Sequence, residues 1–159
     1  MQEKESNFII GFEGKQVSIT SDVIKALKEV QQDRNYKKEQ GGILVGFYDS
    51  LIDSLVISDI TYPQSQDVCS RFRFSRKSHG HQSIMDDLWE QSGHRKSYLG
   101  EWHTHNQTFP IPSSIDIRNW KKISKREHNF DEKIFVIVGT ENIGIWCIKQ
   151  GDLIELGYI

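Results

Sequence analysis

Between positions 103 and 116 the chain reads His-Thr-His, seven residues, then Ser-Ser-Ile-Asp, so two imidazoles, a hydroxyl and a carboxylate fall within fourteen positions. This stretch constrains the fold on both sides. Ser97-Tyr98-Leu99-Gly100 leads in as a strand. Side chains at i and i+2 of a strand share a face, so His103 and His105 are presented together. Asn106 to Pro112 reads as a loop. From Ser114 the spacing of Ile115, Trp120 and Ile123 predicts a helix. Its first turn holds Asp116, where the helix dipole favours a carboxylate. A strand, a loop and a helix must therefore converge on one point.

Two histidines and one carboxylate are the donor set of a catalytic zinc site, because three protein ligands leave the fourth tetrahedral position to water. Zinc lowers the pKa of that water to about 7, and hydrolysis then needs a base to accept the proton and redeliver it. Glu39 is the candidate. In Glu39-Gln40-Gly41-Gly42-Ile43-Leu44-Val45-Gly46 a charged loop runs into a short apolar strand, and the paired glycines let another segment approach closely. Glu101 competes, since it precedes His103 by two residues and shares its strand face. That position suits a hydrogen-bond partner for an imidazole or a rival base.

Simpler readings of the same residues have to be weighed. Ser113-x-x-Asp116 is also a helix-capping pattern, and alone it reads more readily as a cap than as a metal ligand. The His pair at this spacing reverses the preference. The combined pattern arises by accident in on the order of one chain in a thousand of this length, and capping does not preclude ligation. Ser113 near histidine and aspartate suggests a nucleophilic triad, but no G-x-S-x-G elbow surrounds it. His79-Gly80-His81 is a second H-x-H at the entry of a helical stretch, Ser83 to Gln91, with no carboxylate at matching spacing. These are expected to be surface or helix-start histidines.

Taken together, Glu39 ahead of a glycine-rich strand and then His103, His105, Ser113 and Asp116 in H-x-H-x7-S-x-x-D resemble the JAMM, or MPN-plus, zinc metalloproteases. The resemblance covers nearly the whole chain and implies one metalloprotease domain over residues 1–159. It also implies an α/β fold with a curved mixed β-sheet, flanking helices and a cytidine-deaminase-like layout. It further implies one zinc per chain on His103, His105 and Asp116, with Glu39 as the base and Ser113 steadying the zinc water or the oxyanion. One departure is Asn106, where many members have proline directly after the second histidine; prolines follow here at Pro110 and Pro112. More narrowly, Gly100-Glu101-Trp102-His103-Thr104-His105 resembles small bacterial JAMM proteins of anti-phage CBASS islands, which cut ubiquitin-like conjugates.

That likeness implies an isopeptidase acting on a protein joined through its C-terminus to an amine, either ubiquitin-like or a cGAS-like nucleotidyltransferase. E1-like and E2-like enzymes would be its functional neighbours. Three alternatives stay open: a JAMM peptidase trimming a ubiquitin-like sulfur carrier, a silent MPN binding module, and deaminase-like zinc chemistry. The second is weakened because no catalytic position is missing. The third is weakened because H-x-E with P-C-x-x-C is absent.

Composition bears on partners and compartment. A chain of 159 residues is long enough for one substantial core and short for two. A net charge of -2 carries no electrostatic footprint for nucleic acid. No run of 18 apolar residues suggests a membrane span, and Met1 to Asn7 is charged and polar, so a cytoplasmic location is expected. Cys69 and Cys147 lack C-x-x-C spacing and read as reduced thiols, with Cys69 mildly reactive beside Arg71 and Arg73.

Turn signals organise the rest. Phe8 to Phe12 and Gln16 to Thr20 flank Glu13-Gly14 as a hairpin. Ser21-Asp22 starts a helix to about Arg34, with Val23, Ile24, Leu27 and Val30 on one face. Strands are expected at Gly42 to Tyr48, Leu55 to Thr61 and, after a polar loop, Phe72 to Ser75. Ile84, Met85, Leu88 and Trp89 mark a second helix. Lys133 to Gly139 and Gly144 to Lys149 form a hairpin about Glu141-Asn142, and Leu153 to Tyr158 a last strand. An extended tail requires a shallow groove, expected beside the histidine strand and the 106–112 loop, with the loop after Tyr62 as cover.

Overall fold

The computed structural model describes residues 7–32, 38–126 and 130–159. The first hairpin pairs β1 (Phe8–Phe12) with β2 (Lys15–Ile19) through Glu13 and Gly14. Both turn residues take positive φ, 44° and 77°, which matches the right-handed twist of the flanking strands. Then follow α1 (Ser21–Gln32), β3 (Gly41–Asp49), β4 (Ser54–Ile60), β5 (Val68–Ser70), β6 (Arg73–Ser75), α2 (His81–Gln91) and β7 (Ser97–Thr104). The chain ends with α3 (Ser114–Ser124), β8 (Lys133–Val138), β9 (Ile143–Lys149) and β10 (Asp152–Tyr158). The expected end of the first helix near Arg34 lies outside the described residues. β5 was not expected: Val68 to Ser70 falls in what reads as a polar loop, and among the described residues its strand partner is β6.

Eight strands form one sheet in the order β1-β2-β4-β3-β7-β8-β9-β10, antiparallel except where β2 meets β4 and β7 meets β8. The sheet curls until its edge strands β1 and β10 touch. Lys149 Nζ then reaches Glu13 Oε2 at 2.6 Å and Lys15 Nζ reaches Glu132 Oε1 at 2.8 Å. This is the curved mixed sheet with helices that the pattern suggested.

Alternation divides the core between the two faces. On β8, Ile134, Val136 and Val138 point to the inner face, where they pack with Val23, Leu27 and Val30 of α1. Phe135 and Ile137 point outward against Trp120 and Ile123 of α3. On β3, Leu44 faces α1, while Ile43 and Val45 face Met85 and Leu88 of α2. The sheet is thus covered on both faces, which explains near-continuous apolar runs such as Ile134-Phe135-Val136-Ile137-Val138.

β7 departs from strict alternation at one place. Its pairing with β3 slips between Leu44↔Gly100 and Val45↔Tyr98, so an extra residue is accommodated as a β-bulge. Leu99 and Trp102 therefore both enter the inner core, although three positions apart, while Glu101 and His103 face outward. Gly100 sits at φ 152°, and a Cβ there would overlap the Ile134 carbonyl oxygen.

We expect Gly100→Ala to cost on the order of 3 kcal/mol in urea denaturation, combining backbone strain with a steric overlap. Gly11→Ala, whose Cβ would meet nothing within 4 Å, should change stability by less than about 1 kcal/mol. Equal costs at the two positions would remove the bulge as the cause.

Candidate metal centre

The outward face of β7 delivers His103, and the chain leaves the strand at His105. Their Nε2 atoms lie 3.0 Å apart. Asp116 brackets them, with Oδ1 3.3 Å from His103 Nε2 and Oδ2 3.2 Å from His105 Nε2. One ligand atom from each residue fits within a 4.8 Å cluster. Two imidazole nitrogens this close must share either a proton or a cation. The other nitrogen of His105, Nδ1, meets Gln107 Oε1 at 3.1 Å. Because an amide oxygen only accepts, Nδ1 carries a hydrogen, so Nε2 is the nitrogen turned toward His103 and Asp116, donating to the carboxylate when protonated and free to act as a metal ligand when not. The donor set and this orientation fit a divalent metal ion of zinc's preferences.

Asp116 is fixed by the helix it starts. Ser113 is the N-cap of α3: its Oγ accepts from the Asp116 backbone N–H and donates to Asp116 Oδ2, and its own N–H donates to the same oxygen at 2.7 Å. Cap and ligand cluster thus share one carboxylate. Burial would raise the Asp116 pKa, but the hydrogen bonds from His103 and His105 outweigh it and hold the carboxyl far below its ordinary range. Burial would lower the His105 pKa, and the bond to Asp116 reverses that, leaving it raised. Behind the pair, Trp120 meets the His103 ring edge-on at 6.2 Å and stacks on Phe135.

Glu39 enters from the residues just before β3. Gln40 N–H donates to Thr104 Oγ1 at 2.9 Å and Thr104 N–H donates to Gln40 O at 2.9 Å, so residue 40 is locked to the end of the histidine strand. Glu39 N–H donates to Ser70 O at 2.7 Å, which ties it to β5 as well. Burial raises the Glu39 pKa, partly offset by His103 and His105, and the residue is only 9 % exposed. Gly41 has no side chain to separate Phe74 of β6 from the Trp102 backbone. Glu39, His103, His105, Ser113 and Asp116 all line one open cleft of about 570 Å³.

Three expectations about neighbouring residues are corrected. Glu101 is not held by an imidazole: Arg76 Nη2 and Nε bind its Oε1 at 2.7 and 2.8 Å, and Tyr98 Oη donates to it at 3.1 Å. His81 does begin α2 but is not a surface residue, being 1 % exposed. Its Nδ1 lies 2.6 Å from Thr61 Oγ1 and its Nε2 2.6 Å from Asp67 Oδ2, so a carboxylate does meet it, from outside the expected spacing. Cys69 is not activated by the arginines, since burial and then Asp67 push its thiol pKa up. Cys147 is buried, with a thiol pushed up to about 12. Gln107 and Arg76 were not anticipated; a glutamine two residues after His105 was the sole local signal for the first, and Arg76 lies 25 positions from its partner.

The chain has recognisable relatives. A family profile described as prokaryotic homologs of the JAB domain matches residues 23–149. A protein of Escherichia coli (strain TW11681), named CD-NTase/cGAS isopeptidase, is 40% identical over 98% of this chain and 96% of its own length. A Vibrio cholerae protein of the same name is 35% identical over 84% of this chain and 81% of its own. A solution structure of a Desulfitobacterium hafniense protein superimposes with a TM-score of 0.59 at 20% identity, covering 87% of this chain and 88% of that one, and shares the fold.

The raised His105 pKa has a testable origin. Its share of stability is complete below about pH 6.5, the ordinary imidazole value, and is lost as pH rises through the folded value. The Asp116 share has the opposite sense, present above about pH 4 and lost as pH falls. In chelator-treated protein, Asp116→Asn should lower the His105 pKa in an NMR titration of the imidazole Cε1 protons, because burial then prevails. An unchanged pKa would show that Asp116 is not its cause.

Proposed function

Because this chain belongs to the family of prokaryotic homologs of the JAB domain, we propose that it is a zinc-dependent isopeptidase, a single metalloprotease domain spanning residues 1–159. The observation carrying this reading is the convergence of His103, His105 and Asp116 within 4.8 Å, beside buried Glu39 at the edge of an open cleft. One zinc per chain held by those three residues would supply a Lewis acid that acidifies a water and polarises the scissile carbonyl.

Glu39 accepts a proton from the attacking water as the new C–O bond forms, and returns it to the amine nitrogen as the C–N bond breaks. Burial raises its proton affinity toward working pH, which suits a group that must both take and give a proton. Ser113 turns its hydroxyl from Asp116 toward the developing oxyanion and donates a hydrogen bond to it. Gln107 and Trp120 hold the imidazoles in place throughout.

The substrate in this reading is a protein joined through its C-terminus to a lysine or another amine. The name carried by relatives with 40% and 35% identity supports a cGAS-like nucleotidyltransferase as that protein. It favours a CBASS setting with E1-like and E2-like neighbours over sulfur-carrier trimming or a silent binding module. An extended tail could pair with a strand edge in the cleft, so that main-chain hydrogen bonds set its carbonyl. Nucleic acid has no part in the reaction, which takes place in the cytoplasm. Among the described residues no helix is long and apolar enough to cross a membrane.

Elemental mass spectrometry should find about one zinc per purified chain, with strong loss in His103→Ala and in Asp116→Ala. Glu39→Gln should retain fold and zinc while turnover of a lysine-linked conjugate falls by about 10²–10⁴-fold. Full activity in Glu39→Gln, or unchanged zinc in both ligand variants, would refute the assignment.

A further inference from the structure

The cleft is not electrically neutral around the site. Its acids are already engaged: Asp116 by His103 and His105, Glu101 by Arg76, and Glu39 beside the two imidazoles. Four of its cations are not. Arg71 and Arg73 stand at the β5–β6 turn on one side, Lys122 and Arg126 at the end of α3 on the other, all exposed and lining the same cleft. None of the four forms an ion pair among the described residues. A chain with net charge -2 has thus gathered unopposed positive charge at the entrance to one site, where the low-dielectric walls of a cleft concentrate the field. The same cleft is lined by two exposed apolar side chains, Phe72 of the β5–β6 turn, 79 % exposed, and Ile115 of α3, 49 % exposed. Arg71 sits 5.2 Å over the Phe72 ring.

Resting on the isopeptidase reading above, we propose that these two walls select a substrate tail that carries an aspartate or glutamate side chain beside the scissile bond. Arg71, Arg73, Lys122 and Arg126 would hold the carboxylate, and Phe72 and Ile115 the apolar stems next to it. Arginine suits this work because its planar fork pairs with a carboxylate through two parallel hydrogen bonds. A peptide fits better than a nucleic acid. The cleft that gathers these four cations also holds the exposed apolar side chains Phe72 and Ile115, which suit the stem of an acidic side chain better than a phosphate backbone.

The test separates binding from cutting. Glu39→Gln protein is titrated, by fluorescence anisotropy, into labelled peptides with a C-terminal isopeptide-linked lysine that carry aspartate or glutamate near the linkage, the matching amide, or lysine. Wild-type protein is assayed for cleavage of the same set in quenched form. Acidic tails should bind about tenfold more tightly than their amide counterparts, and the gap should shrink as salt is raised. Adding Arg73→Glu and Arg126→Glu should transfer the preference to the lysine tail. A far-UV circular dichroism spectrum and a thermal midpoint close to those of the wild-type protein show that the double variant is folded. Equal binding of acidic and amide tails, a preference that survives the charge reversal, or displacement of the peptide by a tighter-binding oligonucleotide would overturn the proposal. Acid-selective binding without cleavage of any isopeptide would sink the isopeptidase reading and leave the acidic-tail site standing. Cleavage without acid selectivity would do the reverse.

Discussion

The extra residue in β7 decides what each face of the central sheet presents. Without the slip at Leu99 and Gly100, a strict two-residue alternation would place Leu99 on the same side as Glu101 and His103. A buried leucine would then compete with two polar groups for the outer layer. With the bulge, Leu99 and Trp102 both join the core around α1, and the strand is free to offer Glu101 and then His103 to the cleft. The backbone at Gly100 passes so close to Ile134 that only glycine fits. An irregularity of one residue thus separates the hydrophobic task of β7 from its chemical one.

Around the cleft, nearly every polar group that is out of water is matched by a local partner, as buried polar groups must be. Thr61 shows the economy of this arrangement. Its hydroxyl receives the Ile43 N–H and meets His81, and its carbonyl receives the Trp102 indole N–H. His81 passes the connection to Asp67, whose carboxylate also accepts the backbone N–H groups of Gln64 and Lys77. These bonds join the strand beside Glu39, the start of α2 and the loop that carries β5 and β6. The hairpin wall of the cleft therefore stands on a buried polar frame, and a network so fully satisfied rigidifies what it supports.

Much of this was legible in the residues, where the signal is local. The Glu13-Gly14 turn, the apolar stripe of α1 and the Ser113 cap all arise from neighbours within a few positions, and so does the pairing of His103 with His105. Glu39 could be singled out because glycines follow it, but its lock to Thr104 crosses 64 positions. What escaped the reading depends on partners distant in the chain. β5 is three residues long with no alternation of its own, and it exists because β6 and the Glu39 backbone supply its hydrogen bonds. The fate of Glu101 was decided by Arg76, and the burial of His81 by Thr61 and Asp67. Cys69 reads as mildly reactive in sequence because Arg71 and Arg73 follow it. In the fold, burial and then the charge of Asp67 push its thiol pKa up.

Asp116 carries a further consequence. Its Oδ2 accepts the Ser113 N–H and hydroxyl, and it also faces His105. The same oxygen caps a helix and faces an imidazole of the candidate metal cluster. Helix-capping preferences alone would favour glutamate at this position, the fourth residue of the S-x-x-E motif. One more methylene would let the carboxylate reach the cap while moving it relative to two fixed imidazoles. The shortest acidic side chain is therefore the compromise between two geometries. A substitution that improves the helix by the usual criteria would thus shift the carboxylate from its place between His103 and His105, so at this position helix stability and the geometry of the cluster give opposite instructions.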